Sequence, residues 1–170
     1  MKYTRQYYRT LFTLFALGVL FTFSHYAIAA SISFGNPPIV LDSQTSFYVD
    51  VLLDTEGQTV NAIEGAVSYP DDLLELISVY NGKTVVTNWI QPPYQNGSSI
   101  QFSGIMAGGF KEVTDPLRDE VLPGTIMRLV FRPLATGSGT IAFENMHVYL
   151  HDGKGTEAYL KSQPFDFMLT

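Results

Sequence analysis

The sequence predicts an all-β domain, either a sandwich or a barrel, and three observations carry this prediction. Short runs of β-branched and aromatic residues alternate with polar residues, which is the period of a half-buried strand. Turn signals rich in glycine, proline and asparagine recur at roughly eight to twelve residues. No run keeps the period of about 3.6 residues that marks an amphipathic helix.

Residues 60–79 show this pattern best, as two strand-like runs joined by the polar corner Tyr69-Pro70-Asp71-Asp72. Pro70 has no backbone N–H and favours extended geometry at the residue before it, so the first strand should end at Tyr69. The second and more apolar run covers residues 73–80. These two strands and their corner are expected to form the centre of the domain.

Either face of the first central strand could be the buried one. One face carries Asn61, Ile63, Gly65, Val67 and Tyr69, and the other carries Val60, Ala62, Glu64, Ala66 and Ser68. We expect the face with Ile63, Val67 and Tyr69 to point inward, because larger apolar groups gain more free energy on burial.

Three runs that precede the centre are also predicted to be strands, at residues 31–34, 39–41 and 47–54. In the last of these Phe47, Val49, Val51 and Leu53 share one face. The turn composition of residues 55–58 predicts a hairpin that leads from this strand directly into the central one.

The pattern after residue 80 is less regular at first and then becomes clear again. Residues 84–101 contain two prolines and a glycine and are expected to be irregular. A strand marked by Ile100 and Phe102 should end at Gly104. Residues 107–124 are predicted to form a long loop or flap because they combine glycines with many charges. The remaining predicted strands are residues 125–132, 140–144, 146–150 and 165–169.

Residues 1–29 have the three regions of a secretory signal peptide. Lys2, Arg5 and Arg9 form a basic start, residues 11–23 are apolar and uncharged, and Ala27-Ile28-Ala29 is a small-residue cleavage pattern. The apolar run is shorter than the ~20 residues of a membrane-spanning helix, although an uncleaved signal anchor is the alternative. We expect cleavage after Ala29, which leaves residues 30–170 as one secreted domain, extracellular or at the cell surface.

Composition excludes several classes of partner and chemistry. The formal net charge is −6 and becomes more negative when the basic leader is removed, which argues against nucleic acid or anionic lipid as a partner. No later segment is apolar enough to span a membrane, and the chain has no cysteine for disulfides.

The order of these features resembles a cohesin domain over residues 32–169. The matching parts are the strand at 47–54, the run Tyr69-Pro70-Asp71-Asp72-Leu73-Leu74-Glu75-Leu76, and the glycine-led strands at 124–131 and 139–143. The resemblance implies a jelly-roll sandwich of about nine strands, similar to carbohydrate-binding modules of families 2 and 3. It also implies a non-catalytic module that docks dockerin-type partners in extracellular polysaccharide-degrading or surface complexes, with calcium held by the dockerin.

Type I cohesins carry an Asn-x-Asp pattern on the strand before the tyrosine, and those side chains contact the dockerin. Alignment on Tyr69 places Ala62-Ile63-Glu64 at this pattern, so Glu64 keeps a carboxylate while Asn61 lies one position out of register. Glu64, Ser68 and Asn61 are the candidate binding residues of this strand, and each is exposed only if its face of the strand is not the core one.

Trp89, Tyr94 and Phe110 are further binding candidates, because aromatic side chains in loops can stack on sugar rings or fill a partner's pocket. The alternative is that Trp89 and Phe110 close the ends of the sandwich as part of its core. Carbohydrate binding and a purely structural surface-protein role remain the two alternatives to protein docking.

Neither a catalytic nor a metal site is expected. After the leader the chain has only His147 and His151, no cysteine and no G-x-S-x-G motif, and no two carboxylates are placed together by the sequence. The acidic turns at Asp71-Asp72 and residues 152–155 lack the spacing of a calcium loop, so any calcium is expected on a partner.

Overall fold

The computed structural model of the protein describes residues 29–35, 39–115, 117 and 120–170. This part of the chain is all-β, with thirteen strands. The predicted leader lies outside the described residues except for Ala29, where the first strand begins. The strands are β1 (Ala29–Phe34), β2 (Val40–Leu41), β3 (Phe47–Asp54), β4 (Val60–Ser68), β5 (Leu74–Tyr80), β6 (Asn88–Asn96), β7 (Ser99–Phe110), β8 (Val113–Asp115), β9 (Glu120–Leu122), β10 (Gly124–Pro133), β11 (Gly137–Leu150), β12 (Tyr159–Ser162) and β13 (Phe165–Leu169).

Two sheets pack face to face and confirm the predicted sandwich. A five-stranded sheet has the order β12-β1-β3-β10-β5, and a six-stranded sheet has the order β2-β13-β11-β4-β7-β6. The β1–β12 and β2–β13 pairs are parallel, and the other neighbours are antiparallel. Four strands have only two to four residues, so the nine longer strands match the expected number.

One hydrophobic core fills the space between the sheets. Ile63, Val67 and Tyr69 are buried, as predicted for the inward face of β4. The Tyr69 ring lies 5.1 Å from that of Phe131 on β10, which joins the two sheets. Burial raises the pKa of Tyr69 and the nearby charge of Asp71 raises it further, although the hydrogen bond that Gln95 donates to its hydroxyl opposes the shift.

Val60 is also buried, although strict alternation would place it outside. Against β11 the pairing of β4 passes from Val60, opposite Leu150, to Ala62, opposite Tyr149, so Asn61 is the extra residue of a bulge. A bulge reverses the inside–outside alternation beyond it, which explains why both Val60 and Ile63 face the core.

The corner after β4 carries the chain from one sheet to the other. β4 ends at Ser68, in agreement with the predicted stop before Pro70, and β5 begins at Leu74. The carbonyl oxygen of Pro70 accepts hydrogen bonds from the backbone N–H groups of Leu73 and Leu74. The two central strands are therefore neighbours along the chain but belong to opposite layers.

The hairpin predicted at residues 55–58 is wrong. The segment does turn, with Glu56 and Gly57 at φ values of 47° and 81°, but β3 and β4 lie in different sheets. Turn residues report local backbone geometry only, and the choice of sheet is set by long-range pairing of β3 with β1 and β10.

The irregular segment predicted at residues 84–101 is also wrong over most of its length. β6 and β7 form a hairpin there, and β6 is the edge strand of the six-stranded sheet. An edge position and two register shifts accommodate Pro92 and Pro93, which could not lie in a central strand.

β7 continues past Gly104, where the sequence pattern predicted its end. A Cβ atom at Gly104 would lie 2.4 Å from Cγ1 of Val86 and 3.1 Å from Cε3 of Trp89. The glycine thus provides space for side chains packed across it, and it does not end the strand. The predicted flap at residues 107–124 contains the end of β7 and the short hairpin of β8 and β9.

Candidate functional site

The outer faces of β11, β4, β7 and β6 form one continuous surface, here called the polar face. Ile63, Val67, Ile100, Phe102 and Val148 of these strands point into the core, so the alternate residues point outward. Read across the four strands, the outward rows are Ala142, Ser68, Ser99 and Asn96; Glu144, Ala66, Gln101 and Tyr94; His147, Glu64, Ser103 and Gln91; and Tyr149, Ala62, Ile105 and Asn88.

An open groove of about 380 Å³ lies at the centre of the polar face. Gly65, Ala66 and Phe102 are among its lining residues, although the Phe102 ring itself lies in the core. Its other lining residues carry polar side chains from all four strands: Glu64, Gln91, Gln101, Ser103, Asn145 and His147.

A bulge in β11 shapes one wall of this groove. Asn145 has a φ of 48°, and the register against β4 shifts between Glu144 and His147. The bulge packs on Gly65, where a Cβ atom would lie 2.3 Å from Sδ of Met146 and 3.0 Å from its Cα. Only glycine therefore permits this close approach, and the bulge presents both Asn145 and His147 to the groove.

Two hydrogen bonds fix the carboxylates near the groove. The Tyr149 hydroxyl donates to Oε1 of Glu64 at 2.9 Å, and Nδ1 of His147 lies 2.6 Å from Oε1 of Glu157. The bond to Glu64 raises the pKa of Tyr149, and desolvation and the nearby negative charges add to the shift. Tyr149 thus remains a neutral donor that holds the Glu64 carboxylate in place.

The outer face of the five-stranded sheet has a different chemistry. Its cations are paired with carboxylates of this face or of the adjoining turn: Arg128 with Asp50, Arg132 with Glu75, and Lys161 with Glu56. The Arg128–Asp50 pair is bidentate, with distances of 2.6 and 2.8 Å, and the guanidinium carbon lies 3.8 Å from the centre of the Tyr48 ring.

Three of the predicted binding residues come together on the polar face. Glu64 lines the groove, while Ser68 and Tyr94 lie in neighbouring rows of the same face. The Tyr94 hydroxyl donates to Oε1 of Gln101 at 2.5 Å, and 42 % of the residue is exposed. Tyr94 is on a strand rather than in the loop predicted for it.

The other three predicted residues lie apart from the groove. Asn61 is in the β4 bulge and is half-buried. Trp89 and Phe110 pack against the core: the Trp89 ring meets Phe102 edge-on, with the ring centres 6.3 Å apart, and Phe110 covers Gly124. Trp89 and Phe110 therefore pack as part of the core, which was the alternative to a binding role for these two residues.

Five groove residues were not singled out as binding candidates from the sequence. Gln91, Gln101 and Ser103 follow the polar side of two strands, so the alternation in β7 carried a signal for them. Asn145 and His147 reach the groove only through the β11 bulge, which pairs with a distant strand. His147 is half-buried there.

Among the described residues, no group of three or more histidine, aspartate and glutamate side chains is arranged to hold a metal ion. The same part of the chain contains no helix long and apolar enough to cross a membrane.

Comparison with solved structures gives the class of this sandwich. A non-cellulosomal cohesin from the archaeon Archaeoglobus fulgidus is 17% identical, with a TM-score of 0.62, and the match covers 84% of this chain and 91% of that one. A type I cohesin from a cohesin–dockerin complex of Clostridium thermocellum is 16% identical, with a TM-score of 0.60 and coverage of 84% and 99%. A type II cohesin domain from the cellulosome of Acetivibrio cellulolyticus is 13% identical, with a TM-score of 0.60 and coverage of 82% and 95%.

The domain is therefore a jelly-roll sandwich of the kind that cohesins form. The chain has the cohesin fold, which confirms the fold implied by the sequence resemblance. No protein-family model and no curated protein matches the sequence.

Proposed function

We propose that this chain is a non-catalytic protein-binding module that docks a dockerin-type partner on its polar face. The observation that carries this proposal is the polar face itself, on a cohesin fold. Four strands present a broad polar surface around an open groove, and the polar side chains that line the groove are not part of the hydrophobic core. A broad face of this kind suits a protein partner better than a small substrate, which binds in an enclosed pocket.

Two of the similar structures support the identity of the partner. They are cohesins in complex with dockerins, one from Clostridium thermocellum and one from Acetivibrio cellulolyticus. Within this proposal Glu64 and Ser68 of β4 contact the partner, and Tyr94 lies at the rim of the contact. Asn61, in the bulge at the start of the same strand, marks one end of the contact. Any calcium in the complex belongs to the dockerin.

The proposal also includes export, with residues 1–29 as a cleaved leader and the domain at 30–170 outside the cell or at its surface. The Ala27-Ile28-Ala29 pattern supports it. The mass of the protein recovered from the medium or cell surface tests it, since an intact leader would contradict cleavage.

Carbohydrate binding is the competing function, and the structure does not favour it. Trp89 packs inward instead of presenting a flat ring to solvent, which leaves Tyr94 as the aromatic candidate among those predicted.

Isothermal titration of the purified protein tests the proposal, with and without calcium, against a dockerin panel and soluble cello-, xylo- and chito-oligosaccharides. We expect calcium-dependent binding of a dockerin, weakened at least tenfold by Glu64→Ala because this removes a central polar contact. Ile77→Ala, on the opposite sheet, is the control and should leave binding unchanged. If no dockerin bound, or if the protein bound a sugar and Tyr94→Ala lost that binding, the proposal would be contradicted.

A further inference from the structure

The six-stranded sheet has an unusual charge composition. Its six strands, all within the described residues, contain no lysine and no arginine. They do contain three carboxylates, Glu64, Glu144 and Asp166, and the hydrogen bond to His147 brings Glu157 beside the same face. Any partner that covers this face meets negative charge without built-in compensation.

The carboxylates of Glu64 and Glu144 differ from those of the opposite sheet in how they are paired. Neither carboxylate pairs with a lysine or arginine within the part of the chain that the structure describes, whereas the opposite sheet pairs its cations. Oε1 of Glu64 accepts the Tyr149 hydroxyl, and Oε2 receives no hydrogen bond from any described residue. Covering a half-buried carboxylate without a partner costs free energy, so a docked protein must supply a donor.

The groove has the shape and lining for one long cationic side chain. Ala66, in the outward row between Glu144 and Gln101, offers an apolar surface for an aliphatic stem. The side-chain oxygens of Gln91, Gln101 and Asn145 can accept several N–H donors around the head group. Arginine combines such a stem with five donors and a charge that pairs with carboxylates in a bidentate manner.

We propose that the groove receives an arginine or lysine side chain of the docked protein, with Glu64 as its charge partner. This inference rests on the proposed function and defines the chemistry of the partner surface. Glu144, in the adjacent row of the face, adds attraction at longer range. The cationic side chain completes the hydrogen bonding of Glu64 that Tyr149 begins.

The test uses a probe that does not depend on knowing the partner. Acetyl-arginine amide is titrated into the isotope-labelled protein and followed by ¹⁵N–¹H correlation spectra, with acetyl-citrulline amide as the neutral isostere. We expect the arginine probe to shift the amide resonances of Gly65, Ser103 and His147, and the citrulline probe to leave them unchanged.

Glu64→Gln removes the charge but keeps the shape and an acceptor for Tyr149, so the domain should remain folded. It should reduce the arginine-induced shifts at least tenfold in apparent affinity, as expected for the loss of a charged hydrogen bond. Glu75→Gln on the opposite sheet is the matched control and should leave them intact. Equal responses to both probes, shifts elsewhere on the protein, or an unchanged response in Glu64→Gln would overturn the inference.

The two proposals can fail separately. A dockerin whose footprint covers the polar face, with affinity unaffected by Glu64→Gln, would retain the docking function and overturn the arginine site. If the arginine probe caused shifts that depend on the Glu64 charge but no dockerin bound, the site for a cationic side chain would stand and the dockerin-type partner would be overturned.

Discussion

The two outer faces of the sandwich neutralise their charges in different ways. On the five-stranded sheet each cation is held by a carboxylate, most closely in the bidentate Arg128–Asp50 pair. On the six-stranded sheet the carboxylates face outward without any lysine or arginine in the strands, and Glu64 is held by a neutral phenol. The cations of the five-stranded sheet are paired within the domain, whereas the carboxylates of the six-stranded sheet can still accept hydrogen bonds from a partner.

This difference separates residues that stabilise the fold from residues that are available for binding. An ion pair within one face contributes to the stability of the isolated domain. A carboxylate without a cation contributes little to stability but adds to attraction and specificity towards an oppositely charged surface. Substitutions of charged residues on the five-stranded sheet should therefore mainly reduce stability, and those on the six-stranded sheet should mainly reduce binding.

The largest expected effect concerns the glycine beneath the groove. Gly65→Ala should reduce the free energy of unfolding by about 3 kcal/mol, because the new Cβ meets Met146 and the backbone conformation disfavours a side chain. Gly57→Ala is the control, since its φ is also positive but nothing lies within 4 Å, and it should cost about 1 kcal/mol. Urea unfolding measures both. Equal losses would show that packing of the β11 bulge on Gly65 is unimportant.

A smaller effect compares the carboxylates of the two faces directly. Asp50→Asn should reduce the free energy of unfolding by about 1 kcal/mol, because it removes one charge from a bidentate pair. Glu64→Gln should change it by less than about 0.5 kcal/mol, since no cation is left unpaired. Denaturant midpoints at one ionic strength measure both. A larger loss for Glu64→Gln would reverse the comparison between the faces.

The smallest effect is a pH dependence on the polar face. Tyr149 has a raised pKa in the folded protein, so its hydrogen bond to Glu64 stabilises the fold below the unfolded-state value of about 10. That contribution is lost as pH rises through the higher folded-state pKa. The difference in urea midpoint between wild type and Tyr149→Phe should therefore shrink above this window. Tyr159→Phe, at an exposed position, should show no such change, and a pH-independent Tyr149→Phe difference would contradict the assignment.

Alternation was sufficient to predict the strands whose inside and outside differ clearly. β4 and β10 lie where the pattern placed them, and Ile63, Val67 and Tyr69 are buried because each adds a large apolar group to the core. The corner at Pro70 was predictable as well, since proline restricts the backbone locally whatever the surroundings.

The remaining features depend on contacts that a local pattern does not contain. The turn at residues 55–58 has hairpin chemistry, yet long-range pairing assigns its two strands to different sheets. Gly104 suggested a strand end, but it provides room for Trp89 and Val86 within a continuing strand. Trp89 itself was ambiguous between site and core until its neighbour Phe102 was placed.

Within the site, Glu64 and Ser68 could be selected from one strand because their neighbours alternate. His147 and Asn145 could not, since they reach the groove through a bulge that only exists when β11 pairs with β4. The lack of lysine and arginine in the six-stranded sheet, by contrast, can be read from the sequence once it is known which strands form that sheet. Sequence reasoning therefore finds the face more readily than the groove in it.

The edges of the six-stranded sheet affect how copies of this domain behave when crowded together. β6 carries two prolines and shifts in register, and the opposite edge strand, β2, has only two residues. Neither edge is a good template for another strand, because the first lacks donors at the prolines and the second is too short. Neighbouring copies at high local concentration should therefore not join through the edges of this sheet, and contacts of this layer are left to its broad face, where side chains can discriminate between partners.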